Sequence, residues 1–277
     1  MEALFWDTIK NFISACKCED YESIRAYSNE MFKQKDKFSH PINVAILESL
    51  EKSCLDDNVI LFSYIDNLAK EHNCEIDIYW NMYLAVINNK PNILKLLLTD
   101  SRFHYDYQLH EYLLEACIRG NVDIVKLLLN DSRLRINPLD HKSLKYACTG
   151  GHIEVVKLLI DLPEFSGWYE DSILPTVCAR KHEEVALLLL TKAYVNPATK
   201  YNRALEHACR EGLVKLTKKL LSDYRVTVSH SYLVYAIAGN QLEIVKLLLE
   251  DGRVNATTND LEISKMYGHN SITKLLS

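Results

Sequence analysis

A cysteine returns at nearly constant intervals along the middle of this chain. The intervals are 31, 30 and 31 residues, and each cysteine lies in one of four similar phrases: "EACIRGNVDIVKLLL", "YACTGGHIEVVKLLI", "TVCARKHEEVALLLL" and "HACREGLVKLTKKLL", which hold Cys117, Cys148, Cys178 and Cys209. A fixed period of about 20–50 residues is the signature of a stacked repeat protein, in which each repeat contacts only its neighbours. The period therefore predicts a stack of small units in place of one large globular core.

Each repeat is predicted to form two short helices. Around Cys117 the first helix is expected from Glu111 to Arg119, where apolar residues have helical spacing. A glycine follows the first helix in several repeats, and glycine enters the left-handed conformation after a helix end without steric cost. The second helix carries the phrase "KLLL", whose apolar face needs neighbours on both sides. This spacing gives seven regular repeats and two degenerate ones near the N-terminus.

These phrases resemble a known repeat family. "GHIEVVKLLI", "GNVDIVKLLL" and "NQLEIVKLLLEDGRVNA" resemble the second helix and following turn of the ankyrin repeat, and "TNDLEISKMYGHNSITKLL" is similar to the shortened last repeat of many ankyrin arrays. The usual Thr-Pro-Leu-His start of the first helix is missing, and the Asp-x-Arg connector resembles a divergent style common in large DNA viruses and amoebae. The resemblance implies an all-α fold, an α-solenoid of stacked helix–turn–helix repeats with short hairpin-like connectors.

The resemblance also implies a domain organisation. One solenoid is expected over residues 1–277, with irregular N-terminal capping repeats in 1–78, regular repeats in 79–258 and a shortened C-terminal capping repeat in 259–277. A terminal repeat must present a polar outer face to water. The pair Ala15-Cys16 fits the repeat register weakly, and the segment 33–40 is the candidate for an irregular connection.

Composition and motifs argue against several classes of function. A net charge of −5 with scattered charges gives no bulk attraction to nucleic acid or acidic membranes. Without a secretory signal or an apolar run of about 18 residues, the chain is expected inside the cell, in the cytoplasm or, if viral, in the host cytoplasm. No P-loop, G-x-G-x-x-G, G-x-S-x-G or H-E-x-x-H motif occurs. No catalytic residue, cofactor or small-molecule substrate is therefore predicted.

Cysteine and histidine residues are interpreted as structural. The repeated cysteines would lie on separate repeats about 10 Å apart, so they cannot converge on one metal ion and are expected to be small buried residues. The pair Cys16-Lys-Cys18 lacks the two-residue gap of common zinc sites. His152, His182 and His269 share a position after the first helix, where the resemblance implies hydrogen bonds to the backbone of a neighbouring repeat. No metal site is predicted.

Aromatic residues suggest where a partner would bind. By the resemblance, connector tips and the exposed side of first helices form a concave recognition surface, and Tyr and Trp are frequent hot spots. Aromatic residues concentrate in these regions, including Trp80 and Tyr201, and packing of the irregular repeats is the alternative explanation. Tyr112 shares its helix with core residues and is expected to pack. The aromatic and histidine candidates for partner binding are Tyr79, Tyr105, Tyr107, His110, His141, Trp168 and Tyr169.

Basic residues complete the candidate surface. Arg119, Arg180 and Arg210 precede the turn that ends the first helix in three repeats, and with Lys200 they form a candidate basic stripe. Such a stripe would complement an acidic peptide. Solvated helix ends are the alternative, because arginine near a helix C-terminus is favourable in any case.

The predicted function is therefore non-catalytic recognition of a partner protein or peptide by a monomer. One alternative is an adaptor, such as a ubiquitin-ligase substrate receptor or a host-factor antagonist, whose N-terminal third recruits a second partner. The Leu-Pro start of an F-box is missing at both ends. The less favoured alternative is an enzyme with a cryptic site in the N-terminal helices that uses Cys16 or Cys18.

Overall fold

The computed structural model of the chain describes residues 2–104, 107–136, 141–165 and 170–277, with the backbone alone at residues 2 and 107. These residues form eighteen α-helices and one short 3-10 helix, and none of them lies in a strand. The predicted all-α repeat fold is confirmed. The chain divides into two compact units, Met1–Ile136 and Asn137–Ser277. The single solenoid over 1–277, with boundaries after residues 78 and 258, stays a prediction.

The first unit consists of four consecutive helix pairs. In each pair the odd-numbered helix is called the first helix and the even-numbered helix the second. The bounds are α1 Glu2–Cys18, α2 Tyr21–Phe32, α3 Lys35–Leu55, α4 Val59–Glu71, α5 Ile78–Ile87, α6 Pro91–Leu98, α7 Tyr107–Arg119 and α8 Val122–Leu129. Neighbouring first helices pack against each other, α1 on α3, α3 on α5 and α5 on α7.

The second unit consists of five pairs. The bounds are α9 Lys142–Gly150, α10 Ile153–Leu159, α11 Ile173–Ala179, α12 Glu183–Leu189, α13 Thr199–Glu211, α14 Val214–Leu221, α15 His230–Ala238, α16 Leu242–Asp251, α17 Thr258–Met266 and α18 Asn270–Leu276, with the 3-10 helix at Pro163–Phe165. Its first helices also pack in order, from α9 on α11 to α15 on α17. The two units together hold nine helix pairs, which matches the seven regular and two degenerate repeats predicted. None of the described helices combines the length and apolarity needed to cross a membrane.

Two helix boundaries differ from the sequence prediction. Helix α7 begins at Tyr107, one turn before the predicted start at Glu111. The segment 33–40 was predicted as an irregular connection, but α3 begins at Lys35 and is bent at Phe38, where φ is −131° and ψ is 37°. Pro41 accounts for the bend, because proline removes a backbone donor and disfavours helical conformation in the residues before it.

One turn joins the two helices of all nine pairs. A residue with positive φ follows each first helix, and the next residue donates its backbone N–H to a carbonyl five residues back, at 2.8–3.1 Å. This bond closes the end of the first helix in the manner of a Schellman turn. Five of the nine left-handed residues carry a side chain, so glycine alone could not reveal the motif: Glu19, Asp57, Asn89, Gly120, Gly151, Lys181, Gly212, Asn240 and Gly268.

The repeated cysteines are buried packing residues, as predicted. Cys117, Cys148, Cys178 and Cys209 have no exposed surface, and burial raises the pKa of each thiol to about 12. The repeated turn places Cys54 at the same position, because Asn58 donates to the Ser53 carbonyl as Asn121 does to the Ala116 carbonyl. The series of cysteines therefore extends into the N-terminal repeats, where the sequence period is broken by the long helix α3.

The Asp-x-Arg phrase clamps neighbouring repeats together. In four connectors the arginine forms a two-point ion pair with the aspartate two residues before it, and these pairs are Asp100 with Arg102, Asp131 with Arg133, Asp223 with Arg225 and Asp251 with Arg253. The same guanidinium then reaches the preceding repeat. Arg133 donates to the Leu98 carbonyl at 2.7 Å and Arg253 donates to the Leu221 carbonyl at 2.7 Å.

Because of these ion pairs, the free energy of unfolding is expected to depend on pH in the acid range. Hydrogen bonds from the adjacent arginine lower the pKa of Asp131, Asp223 and Asp251 and lower the pKa of Asp100 to about 2. The unfolded value is about 3.9, so this contribution to stability is complete above that pH and is lost as pH falls toward 2. Urea unfolding between pH 6 and about 2.5 should therefore show falling stability below about pH 4. Asp100→Asn should show a shallower fall, and an identical pH profile would contradict the clamp.

Candidate functional site

Basic residues gather on the exposed side of two first helices in the second unit. Helix α13 buries Ala204, Leu205, Ala208 and Cys209 and exposes the opposite side, which carries Arg203, His207 and Arg210 at helical spacing. Helix α11 packs beside it and presents Thr176 and Arg180.

The two helices border an open depression of about 400 Å³. Three permanent cations line it: Arg180 from the end of α11, and Lys200 and Arg203 from the start of α13. The imidazole of His207 also lines it. The hydroxyls of Ser172 and Thr176 also line it. The name basic groove is used below for Arg180, Lys200, Arg203 and His207 with these two hydroxyl residues.

The cations of the basic groove lack a carboxylate partner within the described part of the chain. Arg180 donates Nη1 to the Thr149 carbonyl at 2.9 Å, and neither Lys200 nor Arg203 pairs with an acidic side chain there. The Glu170 carboxylate near Lys200 is already engaged by Lys145 at 2.8 Å, and its pKa is lowered mainly by that contact. The groove therefore carries an uncompensated positive charge.

His207 contributes a neutral edge at pH 7. Burial lowers the pKa of its imidazole, and the charges of Arg203 and Arg210 act in the same direction, while Glu206 opposes them. A neutral imidazole can still donate one hydrogen bond to an anion.

The backbone at the mouth of the groove is strained. Lys200, Tyr201 and Asn202 have φ of 52°, 58° and 59°, so they form a left-handed turn before the regular part of α13. Such residues cost about 1–2 kcal/mol each, and strained backbone concentrates at functional sites. Asn202 is held by a hydrogen bond from its side-chain amide to the Thr227 hydroxyl at 2.7 Å. The turn leaves Tyr201 97% exposed beside Lys200, where it could contact a bound segment.

The predicted arginine stripe separates into paired and unpaired residues. Arg119 pairs with Glu115 at 3.0 Å, and Arg210 pairs with Glu206 at 3.1 Å and lies 4.9 Å from the Tyr235 ring centroid. Both carboxylates lie one turn before their arginine on the same helix. Arg180 has Thr176 at the corresponding place, so its charge is not offset in this way. Of the predicted basic residues, the structure brings Arg180 and Lys200 together.

Three other candidates are half-buried. The ring of Tyr79 lies 5.7 Å from that of Phe103, and its hydroxyl accepts a hydrogen bond from the His104 N–H. His141 precedes α9, with its ring 6.0 Å from that of Phe165, and His110 lies on α7. Their roles in partner binding stay predictions. Tyr112 is 6% exposed and donates its hydroxyl to the Tyr79 carbonyl, which confirms that it packs.

The remaining aromatic candidates cannot be placed. Tyr105, Trp168 and Tyr169 lie outside the described residues, and of Tyr107 only the backbone is described, at the start of α7. Their predicted role as binding anchors stays a prediction. Among the described residues, no group of three His, Cys, Asp or Glu side chains is arranged to hold a metal ion.

Sequence reasoning missed Arg203 and His207. Both follow from the repeat register, because they lie on the side of α13 opposite to Cys209. The repeat register therefore indicates both residues, whereas the predicted stripe contains only Lys200 and arginines at the ends of first helices. Their convergence with Arg180 depends on how α11 packs against α13, which the sequence does not give.

A larger depression of about 730 Å³ in the first unit is less suited to binding an ion. Asp57 at its edge already accepts hydrogen bonds from the Ile93 N–H at 3.0 Å and the Asn92 side chain at 2.8 Å. That carboxylate therefore caps helix α6.

Part of the chain matches a known protein family. Residues 82–167 match a family model described as ankyrin repeats, in three copies. The matched segment includes Cys117 and Cys148, so it has the period from which the repeats were first inferred. The basic groove lies beyond it along the chain. No curated protein matches the chain at a significant level.

Proposed function

We propose that this chain, in which residues 82–167 match ankyrin repeats, binds an acidic segment of a partner protein in the basic groove, without catalysis. Ankyrin repeats are generally protein–protein interaction modules, and the family is typically non-catalytic. The partner segment would lie along the exposed side of α11 and α13. An aromatic contact from the exposed Tyr201 would add apolar area.

The uncompensated charge of the groove carries this proposal. Arg180, Lys200 and Arg203 share one depression without a carboxylate partner in the described residues, whereas the other predicted arginines are already paired. Charge complementarity steers association and rejects partners of like charge. A first-helix surface held by packing on both sides loses little entropy on binding, so a moderate patch can reach useful affinity.

The environment of Cys16 argues against the alternative function of an enzyme that uses this thiol. Burial raises the pKa of this thiol to about 11, which opposes formation of the thiolate nucleophile at neutral pH. Cys18 is exposed on the same helix. Loss of any detected activity in Cys18→Ala, with binding of acidic peptide retained, would favour the enzyme alternative.

Charge reversal tests the proposed function. Arg180→Glu, Lys200→Glu and Arg203→Glu combined should weaken binding of a fluorescein-labelled oligoglutamate peptide by about a hundredfold or more, because like charges then face the ligand. Fluorescence anisotropy at several salt concentrations measures the dissociation constant. Binding to the unaltered chain should weaken as salt rises.

A matched variant separates the groove from net charge. Lys215→Glu, Lys218→Glu and Lys219→Glu make the same change in net charge on exposed lysines of the second helix α14. This variant should bind oligoglutamate within a few-fold of the unaltered chain. Equal losses of affinity in both variants would show that peptide binding depends on overall charge, and the proposed groove would then be rejected.

A further inference from the structure

The first helix α5 of the first unit exposes an apolar side. Its buried residues are Ile78, Asn81, Met82, Ala85 and Val86. The opposite side carries Trp80, Tyr83, Leu84 and Ile87, and Trp80 is 46% exposed. The other three residues of this side are half-buried. Large apolar residues grouped at a surface mark interaction sites.

The neighbouring first helices continue this apolar side. The repeat register aligns Cys54, Val86 and Cys117, and the next residue in each helix is Leu55 on α3, Ile87 on α5 and Ile118 on α7. Leu55 is 43% exposed and Ile118 is 40% exposed. Since α3 packs on α5 and α5 packs on α7, these three residues form one apolar row.

Glutamates flank the stripe on both sides. The register that places Trp80 on α5 places Glu48 on α3 and Glu111 on α7, and both are exposed. Glu51 lies one turn after Glu48 and accepts a hydrogen bond from the Trp80 indole N–H at 2.8 Å. The name Trp80 surface is used below for Trp80, Tyr83, Ile87, Leu55 and Ile118 with the flanking Glu48, Glu51 and Glu111.

Two nearby basic residues are engaged by other acids, and a third, Lys17 on α1, lines one depression with Glu48 and Glu51 and offsets part of their charge. Lys52 on α3 pairs with Asp56 at 2.7 Å, and Arg119 on α7 pairs with Glu115 at 3.0 Å. With three glutamates against Lys17, the Trp80 surface combines an apolar centre with a net negative flank. This charge is opposite in sign to that of the basic groove in the second unit.

The indole is held in place before any ligand arrives. Its N–H is fixed to Glu51, and its ring lies 5.8 Å from that of Tyr83. A large aromatic side chain with a restricted rotamer loses little entropy on binding, which is the property of a hot-spot residue.

We propose that the Trp80 surface is a second binding site, which takes an amphipathic helix whose apolar residues contact Trp80 and the row from Leu55 to Ile118 and whose flanks carry Lys or Arg. An amphipathic helix presents apolar anchors at i, i+3, i+4 and i+7, and these would contact the apolar centre of the surface. The glutamates select basic flanks and reject acidic ones, which gives the site the opposite charge preference to the basic groove. The chain would thus bind two segments of different chemistry on its two units.

The probe is a synthetic leucine–lysine peptide that folds as one amphipathic helix, labelled with fluorescein. Trp80→Ala should weaken its binding to the full chain at least tenfold, because the variant removes the tryptophan that the peptide would cover. Trp6→Ala is the matched control, since Trp6 is 47% exposed on α1 and should change the affinity less than twofold. Equal affinities for Trp80→Ala and the unaltered chain would overturn the proposal.

A charge exchange tests the flanks without removing apolar contacts. Glu48→Lys combined with Glu111→Lys should weaken the leucine–lysine peptide about tenfold and strengthen a leucine–glutamate peptide of the same pattern. Unchanged preference in this variant would refute the role of the glutamates. Thermal unfolding by circular dichroism checks that each variant is folded.

Two further measurements distinguish the proposed amphipathic partner from other occupants of the Trp80 surface. The triple reversal of Arg180, Lys200 and Arg203 should leave leucine–lysine binding unchanged, so loss of the basic groove and loss of the Trp80 surface are distinguishable. Sedimentation velocity of the chain alone should show no association through Trp80. A dimer that Trp80→Ala returns to monomer would mean that a second copy covers the surface, and the proposed amphipathic partner would be rejected.

Discussion

Arg102→Ala is expected to destabilise the first unit by about 2–3 kcal/mol. Arg102 donates Nη2 to both carboxylate oxygens of Asp66, at 2.8 and 2.9 Å, and pairs through Nε and Nη2 with Asp100 at 2.9 and 2.6 Å. The two aspartate side chains are only 9% and 15% exposed, so the variant leaves two poorly solvated carboxylates without their main partner. Urea unfolding followed by circular dichroism measures the loss.

The surroundings of Arg102 limit the loss of stability that is expected for Arg102→Ala. Removing one partner of a fully buried pair costs about 3–5 kcal/mol, but Arg102 is 31% exposed, and Lys70 still contacts Asp66 at 2.7 Å. Arg135→Ala is the control, because Arg135 is exposed and, among the described residues, its guanidinium bonds only carbonyls of its own connector, those of Ser132 and Leu134. A loss no larger than that of Arg135→Ala would refute the clamp.

Gly151→Ala is expected to destabilise the second unit by about 2–4 kcal/mol. Gly151 has a φ of +77°, and a Cβ added there would lie 2.4 Å from Nδ1 of His182. The left-handed conformation costs a residue with a side chain about 1–2 kcal/mol, and forced overlap costs about 1–3 kcal/mol more. The overlap arises between repeats, since His182 belongs to the pair that follows. Urea unfolding and melting temperature measure the loss.

Gly268→Ala separates the two causes. Gly268 occupies the same turn position with a φ of +70°, but no heavy atom lies within 4 Å of an added Cβ. This variant carries only the backbone strain, so a loss of about 1 kcal/mol is expected. If both variants lost the same stability, the His182 ring would move without cost, and close packing between these repeats would be refuted.

The repeats and their turns could be predicted because their signals are local. The left-handed turn needs only one residue of suitable φ and a backbone hydrogen bond, so Gly120, Gly151 and Gly268 marked it correctly. Asp57 and Lys181 adopt the same conformation without glycine, so at these two positions only the repeat period indicates the turn. Helix α3 was missed in part because its length and its bend at Phe38 break that period.

The candidate sites could be predicted less well. The pairing of Arg119 and Arg210 was within reach, since a glutamate precedes each arginine by one helical turn. That rule already separated them from Arg180. The hydrogen bond between Trp80 and Glu51 joins residues far apart in sequence, so no local sequence pattern predicts it.

The repeat, the helix pairs and the positions of the four periodic cysteines can be read from the amino-acid sequence alone. Those properties follow from hydrophobic periodicity and backbone geometry within one repeat, and stacking only multiplies them. The packing of the folded chain determines which charged side chains have an oppositely charged partner and which do not. Arg180 and Arg203 belong to different repeats, and Glu48, Trp80 and Glu111 belong to three. Their charges and contacts depend on the packing of adjacent first helices, which the composition of any single repeat does not contain.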